Sequence, residues 1–160
     1  MTLEKTVFCD EARSTVEGLD VAKHVRVLAD DTFEGREGGR RGGRAAGSYI
    51  AQQISQFELM PAGTERSCFQ SFPTRFGILR NILVMIPGSD TVLKNDVVVI
   101  GAHYDHVGYG NARNSFGPFG YIHNGADDNA SGVAGLIEIV KKLASCLLYT
   151  SPSPRDSDSS

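Results

Sequence analysis

The sequence predicts an α/β protein, and three observations carry that expectation. Apolar residues at helical spacing alternate along the chain with short, continuous β-branched runs, the order that lays helices on a sheet. The two β-branched runs, Asn81-Ile82-Leu83-Val84-Met85-Ile86 and Asp96-Val97-Val98-Val99-Ile100, lack polar alternation, as strands buried on both faces do. A long segment rich in glycine and aromatic residues, 106–126, then follows the second run, where an open sheet places its active loops.

Taken in order, Val21, Ala22, Val25, Leu28 and Ala29 share one helical face behind Asp20, the expected N-cap of a first helix. Residues 35–44 hold five glycines, so that stretch predicts a loop. Ala46, Tyr49, Ile50, Ile54 and Phe57 mark a second helix, which Pro61 and Gly63 end. Phe69-Gln70-Ser71-Phe72 alternates as an edge strand would before Pro73, and the two β-branched runs come next. Ser131 opens the last helix, with Val133, Leu136, Ile137, Val140, Leu143 and Ala144 as its buried stripe and Glu138 paired with Lys142 on its solvent face.

At 160 residues, a net charge of −3 and 41% hydrophobic residues, the chain is expected to form one soluble domain without a field that recruits nucleic acid or an anionic membrane. No run approaches the roughly 18 apolar residues of a membrane span, and the charged first thirty residues show no secretory h-region. As written, the chain reads as cytoplasmic. Cys9, Cys68 and Cys146 are too few and too scattered for a disulfide framework or a cysteine-rich zinc site. Nothing in the sequence sets an oligomeric state. Composition shifts near the end: residues 1–145 form the domain, and 146–160 read as a disordered tail or as translated adaptor DNA joined to a truncated frame, the latter favoured.

The chemistry concentrates in His103-Tyr104-Asp105-His106 and Gly125-Ala126-Asp127-Asp128-Asn129-Ala130-Ser131-Gly132. His103 falls just past a predicted strand end, and Asp105, two residues on, points to the same side of an extended chain. Its carboxylate can therefore orient the ring from the nitrogen not facing a metal. Asp127 and Asp128 are adjacent carboxylates at a helix start. They serve either as caps and dipole partners or as ligands of metal ions, where one carboxylate can bridge two ions about 3.5–4 Å apart.

These two motifs resemble the zinc-dependent exopeptidases of the aminopeptidase Y, bacterial leucyl aminopeptidase, glutaminyl cyclase and transferrin-receptor family. Gly35-Arg36, Gly43–Ile50, Leu59-Met60-Pro61-Ala62-Gly63, Phe69-Gln70 and Arg80-Asn81-Ile82 extend the likeness, which runs from about Val21 to Ala144. The resemblance implies a three-layer sandwich around a central mixed, mostly parallel sheet, incomplete at the C-terminus. It implies that His103 ligates one zinc, that Asp105 is its catalytic-site orienter, that Asp127 bridges two zincs, and that the Asp127–Asp128 peptide is cis. It implies no ligand role for Tyr104, His106 or His123, and export of many relatives. His24 is expected on the surface.

The family's Glu-Glu pair and its later acidic and histidine ligands have no counterpart here, since Glu138 fits a solvent face. The implied activity is an aminopeptidase acting on a peptide substrate with two zinc ions, present as an N-terminal portion inactive alone. A peptidase-fold binding module without catalysis and a glutaminyl cyclase-type enzyme stand as the alternatives. The Gly-Arg run at 35–44 is a weak phosphate or RNA signal, because no Gly-Lys-Ser/Thr follows it. An unfinished sheet is also expected to leave an edge and an apolar helix face uncovered, and so to limit solubility.

Overall fold

Helices form where the spacing places them. The computed structural model describes residues 19–75, 77–88 and 90–150, with the side chains of 20–145 within those ranges. Expectations falling on residues 1–18 and 151–160, Cys9 among them, lie outside the described residues. The helices are α1 (Leu19–Leu28), α2 (Arg41–Ile54) and α3 (Ser131–Thr150). No helix among the described residues is long and apolar enough to cross a membrane.

Residues one helical turn apart build the core: Ala46, Ile50 and Ile54 on α2, Val133 and Ile137 on α3, and Leu28 at the end of α1, all buried. Phe33, Tyr49, Ile82, Ala102 and Tyr104 pack against this cluster. A 3-10 helix, Asp31–Arg36, connects α1 to α2 and is started by the Asp30 carboxylate, which accepts from the Thr32 amide at 2.9 Å. α2 lies directly on that turn. A Cβ at Gly42 would stand 1.9 Å from the Phe33 carbonyl oxygen, so the contact needs a residue without a side chain.

Several expectations change here. The Gly-Arg run is not all loop, because α2 starts at Arg41 inside it. Asp20 is no N-cap: it lies in the first turn of α1, where its carboxylate accepts from Lys141 Nζ at 2.6 Å. His24 is 5% exposed instead of lying on the surface, with its Nδ1 2.7 Å from the Tyr49 hydroxyl. Glu138 faces α1, not solvent, with Oε1 3.7 Å from His24 Nε2 and Oε2 3.5 Å from Lys141 Nζ. Both reversals share one cause: α1 packs along α3, and His24 and Glu138 face each other across that contact. Leu143, expected in the buried stripe, is 45% exposed. α3 also continues through Thr150, five residues past the expected boundary at 145.

The strands are β1 (Met60–Pro61), β2 (Phe69–Thr74), β3 (Gly77–Ile82) and β4 (Val84–Met85). Among the described residues they form two antiparallel pairs, β1 with β4 and β2 with β3, the second in register from Phe69 opposite Ile82 to Thr74 opposite Gly77. Arg80 ties the hairpin to α2, donating from Nη2 to the Arg44 carbonyl at 2.9 Å.

Residues 96–100 differ most from expectation. They carry no ladder and no regular secondary structure, and Val97, Val98 and Val99 are 84%, 84% and 86% exposed. A strand satisfies its amides and carbonyls only through neighbours, and no strand among the described residues lies beside this one. Just beyond it, Ala102 and His103 reach the wall of a cavity of about 310 Å³ between α2, β3 and α3, lined by Ile50, Leu79, Ile82, Val133 and Ile137.

Candidate metal centre

Two loops meet beside the 3-10 turn. The first, from His103 to Gly108, runs along residues 35–37: the His106 amide donates to the Arg36 carbonyl at 3.2 Å and the Gly108 amide to the Gly35 carbonyl at 3.0 Å. The second ends in a single π-helical turn, Ala126–Ala130, which leads into α3 and is closed by the Ala130 amide on the Gly125 carbonyl at 3.2 Å. Gly125 has φ +57°, and a Cβ there would stand 2.4 Å from the Asp128 carbonyl oxygen and 2.6 Å from His106 Cδ2. Only glycine lets the loops approach this closely.

Asp128 is the carboxylate this turn delivers. Its Oδ1 lies 3.3 Å from His103 Nε2 and its Oδ2 3.5 Å from His106 Nδ1. The other nitrogen of His103, Nδ1, lies 3.1 Å from the backbone oxygen of Asp105. A carbonyl only accepts, so that contact assigns the ring proton to Nδ1 and leaves the Nε2 lone pair facing a carboxylate. Lone pair and carboxylate attract only with a cation between them, a proton or a metal ion. The His103 and Asp128 side chains are 55% and 66% exposed, open to ions from solvent. Burial pushes the His106 imidazole below its ordinary value against the pull of Asp128, which favours the neutral form that ligates metals.

His103 and Asp105 come together as expected, but through the Asp105 main chain. The Asp105 carboxylate is 3.7 Å from His103 Nδ1, too far for a hydrogen bond. Of the two adjacent aspartates, Asp128 and not Asp127 faces the histidines. Asp127 is exposed, and its carbonyl accepts from the Ser131 hydroxyl at 3.1 Å. The expected cis peptide likewise stands one residue later, at Asp128–Asn129. His106, given no ligand role by the resemblance, joins the group. His123 instead supports its own loop, with Nε2 2.8 Å from the Pro118 carbonyl, and the Tyr104 hydroxyl donates to the Arg80 carbonyl at 2.7 Å.

Zinc takes four donors, with imidazole nitrogen and carboxylate oxygen among its usual ones. His103 and Asp128 are donors of that kind. Among the described residues, however, no three His, Cys, Asp or Glu side chains are grouped to hold one metal ion. The residues match zinc in kind and fall short of it in number.

One residue at this centre, Arg36, entered the sequence reading only through the Gly35-Arg36 likeness and the Gly-Arg run, without a role. The Arg36 side chain is completely buried and donates to five backbone carbonyls: Nε to Tyr104 at 3.0 Å, Nη1 to Leu28 at 2.6 Å and to Asn124, and Nη2 to Gly125 at 2.8 Å and Asp128 at 3.4 Å. Burial pulls its pKa down from the ordinary value, opposed by the Asp128 and Asp105 carboxylates. The only trace in the sequence was the Gly35-Arg36 pair itself, since nothing in a sequence shows that distant carbonyls will need a donor.

Residues 81–156 match the model of peptidase family M28. That segment carries His103, Asp105, His106, Asp127 and Asp128, and over it the chain is similar to this metallopeptidase family. Arg36 lies upstream of it. Over 87 residues the chain is 37% identical to the uncharacterized protein YfbL of Escherichia coli (strain K12), an alignment covering 54% of this chain and 24% of the relative. The chain thus spans about a quarter of that relative's length. No solved structure is significantly similar.

Proposed function

We propose that this chain is the N-terminal portion of a zinc aminopeptidase domain, and that His103 and Asp128 are the first protein ligands of a two-zinc site. The observation that carries the reading is the Asp128 carboxylate between two imidazoles, 3.3 Å from His103 Nε2 and 3.5 Å from His106 Nδ1. A carboxylate with both oxygens facing separate donors is suited to bridging two ions. The match of residues 81–156 to peptidase family M28 supports the same chemistry.

In this reading Asp128 takes the bridging role first expected of Asp127, and Asp105 holds the His103 ring through its carbonyl so that Nε2 points outward. Zinc, when bound, supplies a Lewis acid that polarises a peptide carbonyl and acidifies water. The remaining donors and the general base belong to residues beyond those described. The three-layer sandwich is part of the same proposal, with residues 96–100 as a strand of its central sheet and a peptide as substrate.

The test is zinc-dependent hydrolysis of amino-acid p-nitroanilides by the product of the full reading frame. Loss of hydrolysis in both His103→Ala and Asp128→Ala, with helical content retained, is the expected result. Unchanged hydrolysis in either variant sinks the assignment. Zinc binding accompanied by cyclisation of N-terminal glutamine, without hydrolysis, would move the reading to the cyclase alternative.

A further inference from the structure

Asn124-Gly125 is the one Asn-Gly pair in the sequence, and it stands at the entry of the turn that leads into α3. Asparagine before glycine is the pair most prone to close on itself as a cyclic imide. No side chain shields the following amide nitrogen, and glycine lets the backbone bend toward the carboxamide. Here the Gly125 amide donates to no acceptor among the described residues, which leaves that nitrogen available. The Asn124 carboxamide, by contrast, is held. Its Nδ2 donates to the Ala29 carbonyl and to Asp31 Oδ1, each at 2.7 Å, and so ties the second loop to the chain between α1 and the 3-10 helix. Both partners only accept, so the position requires an NH2 group, and a carboxylate cannot replace it.

We propose that Asn124 is a site of spontaneous deamidation, and that the reaction irreversibly releases the second loop from residues 29–31. The Gly125 nitrogen attacks Asn124 Cγ, the new C–N bond closes the imide, and the Cγ–Nδ2 bond breaks, with the amide proton leaving on ammonia. Water then opens the imide at either carbonyl to give aspartate or isoaspartate. In aspartate a carboxylate stands where the two donated hydrogen bonds were, oxygen against the Ala29 carbonyl and negative charge against Asp31. Isoaspartate also adds a carbon to the main chain beside Gly125, where even a Cβ would stand 2.4 Å from the Asp128 carbonyl oxygen. Ring closure requires Nδ2 to leave its acceptors, so the rate in the folded chain follows the opening of this clasp. Neither the reaction nor its consequence involves a metal ion.

The test holds the whole 160-residue chain at mildly alkaline pH in three forms: wild type in native buffer, wild type unfolded in urea, and Asp31→Ala in native buffer. Peptide mass spectrometry follows conversion at Asn124 and separates aspartate from isoaspartate. Conversion is expected to be at least about tenfold slower in the native wild type than in urea, because it waits for local opening. In Asp31→Ala it is expected to run about tenfold faster than in the native wild type, the weight of one hydrogen bond to a charged group. Amide hydrogen exchange then compares the wild type with Asn124→Asp, in which protection of residues 124–130 is expected to drop about tenfold with α2 unchanged.

Conversion as fast in native buffer as in urea overturns the proposal, because no clasp then governs the reaction. Equal rates in the native wild type and Asp31→Ala overturn it too, as does an Asn124 that stays intact in both after the unfolded chain has converted. If Asp31→Ala loses the protection of α2, the exchange of Asn124→Asp decides: loosened 124–130 over an intact α2 supports the proposal, and unchanged protection of 124–130 overturns it.

Discussion

The stripe of α3 and the segment 96–100 both carry valine and isoleucine, yet Ile137 is 3% exposed and Val98 84%. The difference lies in where each element finds its hydrogen bonds. A helix satisfies its amides and carbonyls internally, so α3 needed only a face for its apolar stripe, and α1 and α2 provide one. A strand cannot satisfy itself, and residues 96–100 have no paired neighbour among the described residues. Apolar sequence therefore specifies burial for both, but only the self-contained element achieves it.

Stability measurements should break or sharpen this contrast. Ile137→Ala removes core volume and is expected to cost about 2–5 kcal/mol in denaturant unfolding, whereas Val98→Ala should stay within about 0.5 kcal/mol. A loss at Val98 as large as that at Ile137 would mean that the segment 96–100 is packed in solution. Cooperative unfolding of the chain is a precondition for both numbers.

A second test concerns the buried polar layer between α1 and α3. Burial pulls the His24 imidazole below its ordinary value, opposed by Glu138 and Asp20 and reinforced by Lys23 and Lys141. Folded His24 then holds fewer protons than unfolded His24, so its contribution is complete above about pH 6.5 and is lost as pH falls through the folded value. Stability should rise with pH across that window, by at most about 1.4 kcal/mol per pH unit for one proton. His24→Asn should flatten part of the slope in urea midpoints between pH 5 and 7, and an identical slope in the variant would remove His24 as its source.

The smallest expected effect on stability, and the clearest on behaviour, is at the open segment. Exposed β-branched backbone is a template for pairing with other chains, so Val98→Lys should lower the sedimenting fraction at high concentration and leave the unfolding midpoint in place. Unchanged self-association would show that other exposed residues, such as Phe116, govern it.

What the sequence disclosed follows the same division. The three helices were legible because a 3.6-residue period is local, and the His103-Tyr104-Asp105 and Asp127-Asp128 motifs were legible because their residue types are unusual together. Which of Asp127 and Asp128 lies nearer His103 and His106 was not legible, since adjacent carboxylates look alike in a sequence. Arg36 was hidden because its partners are carbonyls, up to 92 residues away and of no particular side-chain type. His24 and Glu138 were misplaced because helical phase shows which residues share a face, but not which second helix will cover it.

The central claim is that Asp128, together with His103, holds the metal. Zinc titration of the product of the full reading frame against its isosteric variants Asp128→Asn and Asp127→Asn tests it most directly. Loss of a ligand should weaken zinc by more than the roughly 100-fold upper range seen for orienting groups, so Asp128→Asn is predicted to exceed that loss while Asp127→Asn stays within about threefold of the wild type. The reverse order, with Asp127→Asn abolishing binding and Asp128→Asn tolerated, would contradict the account.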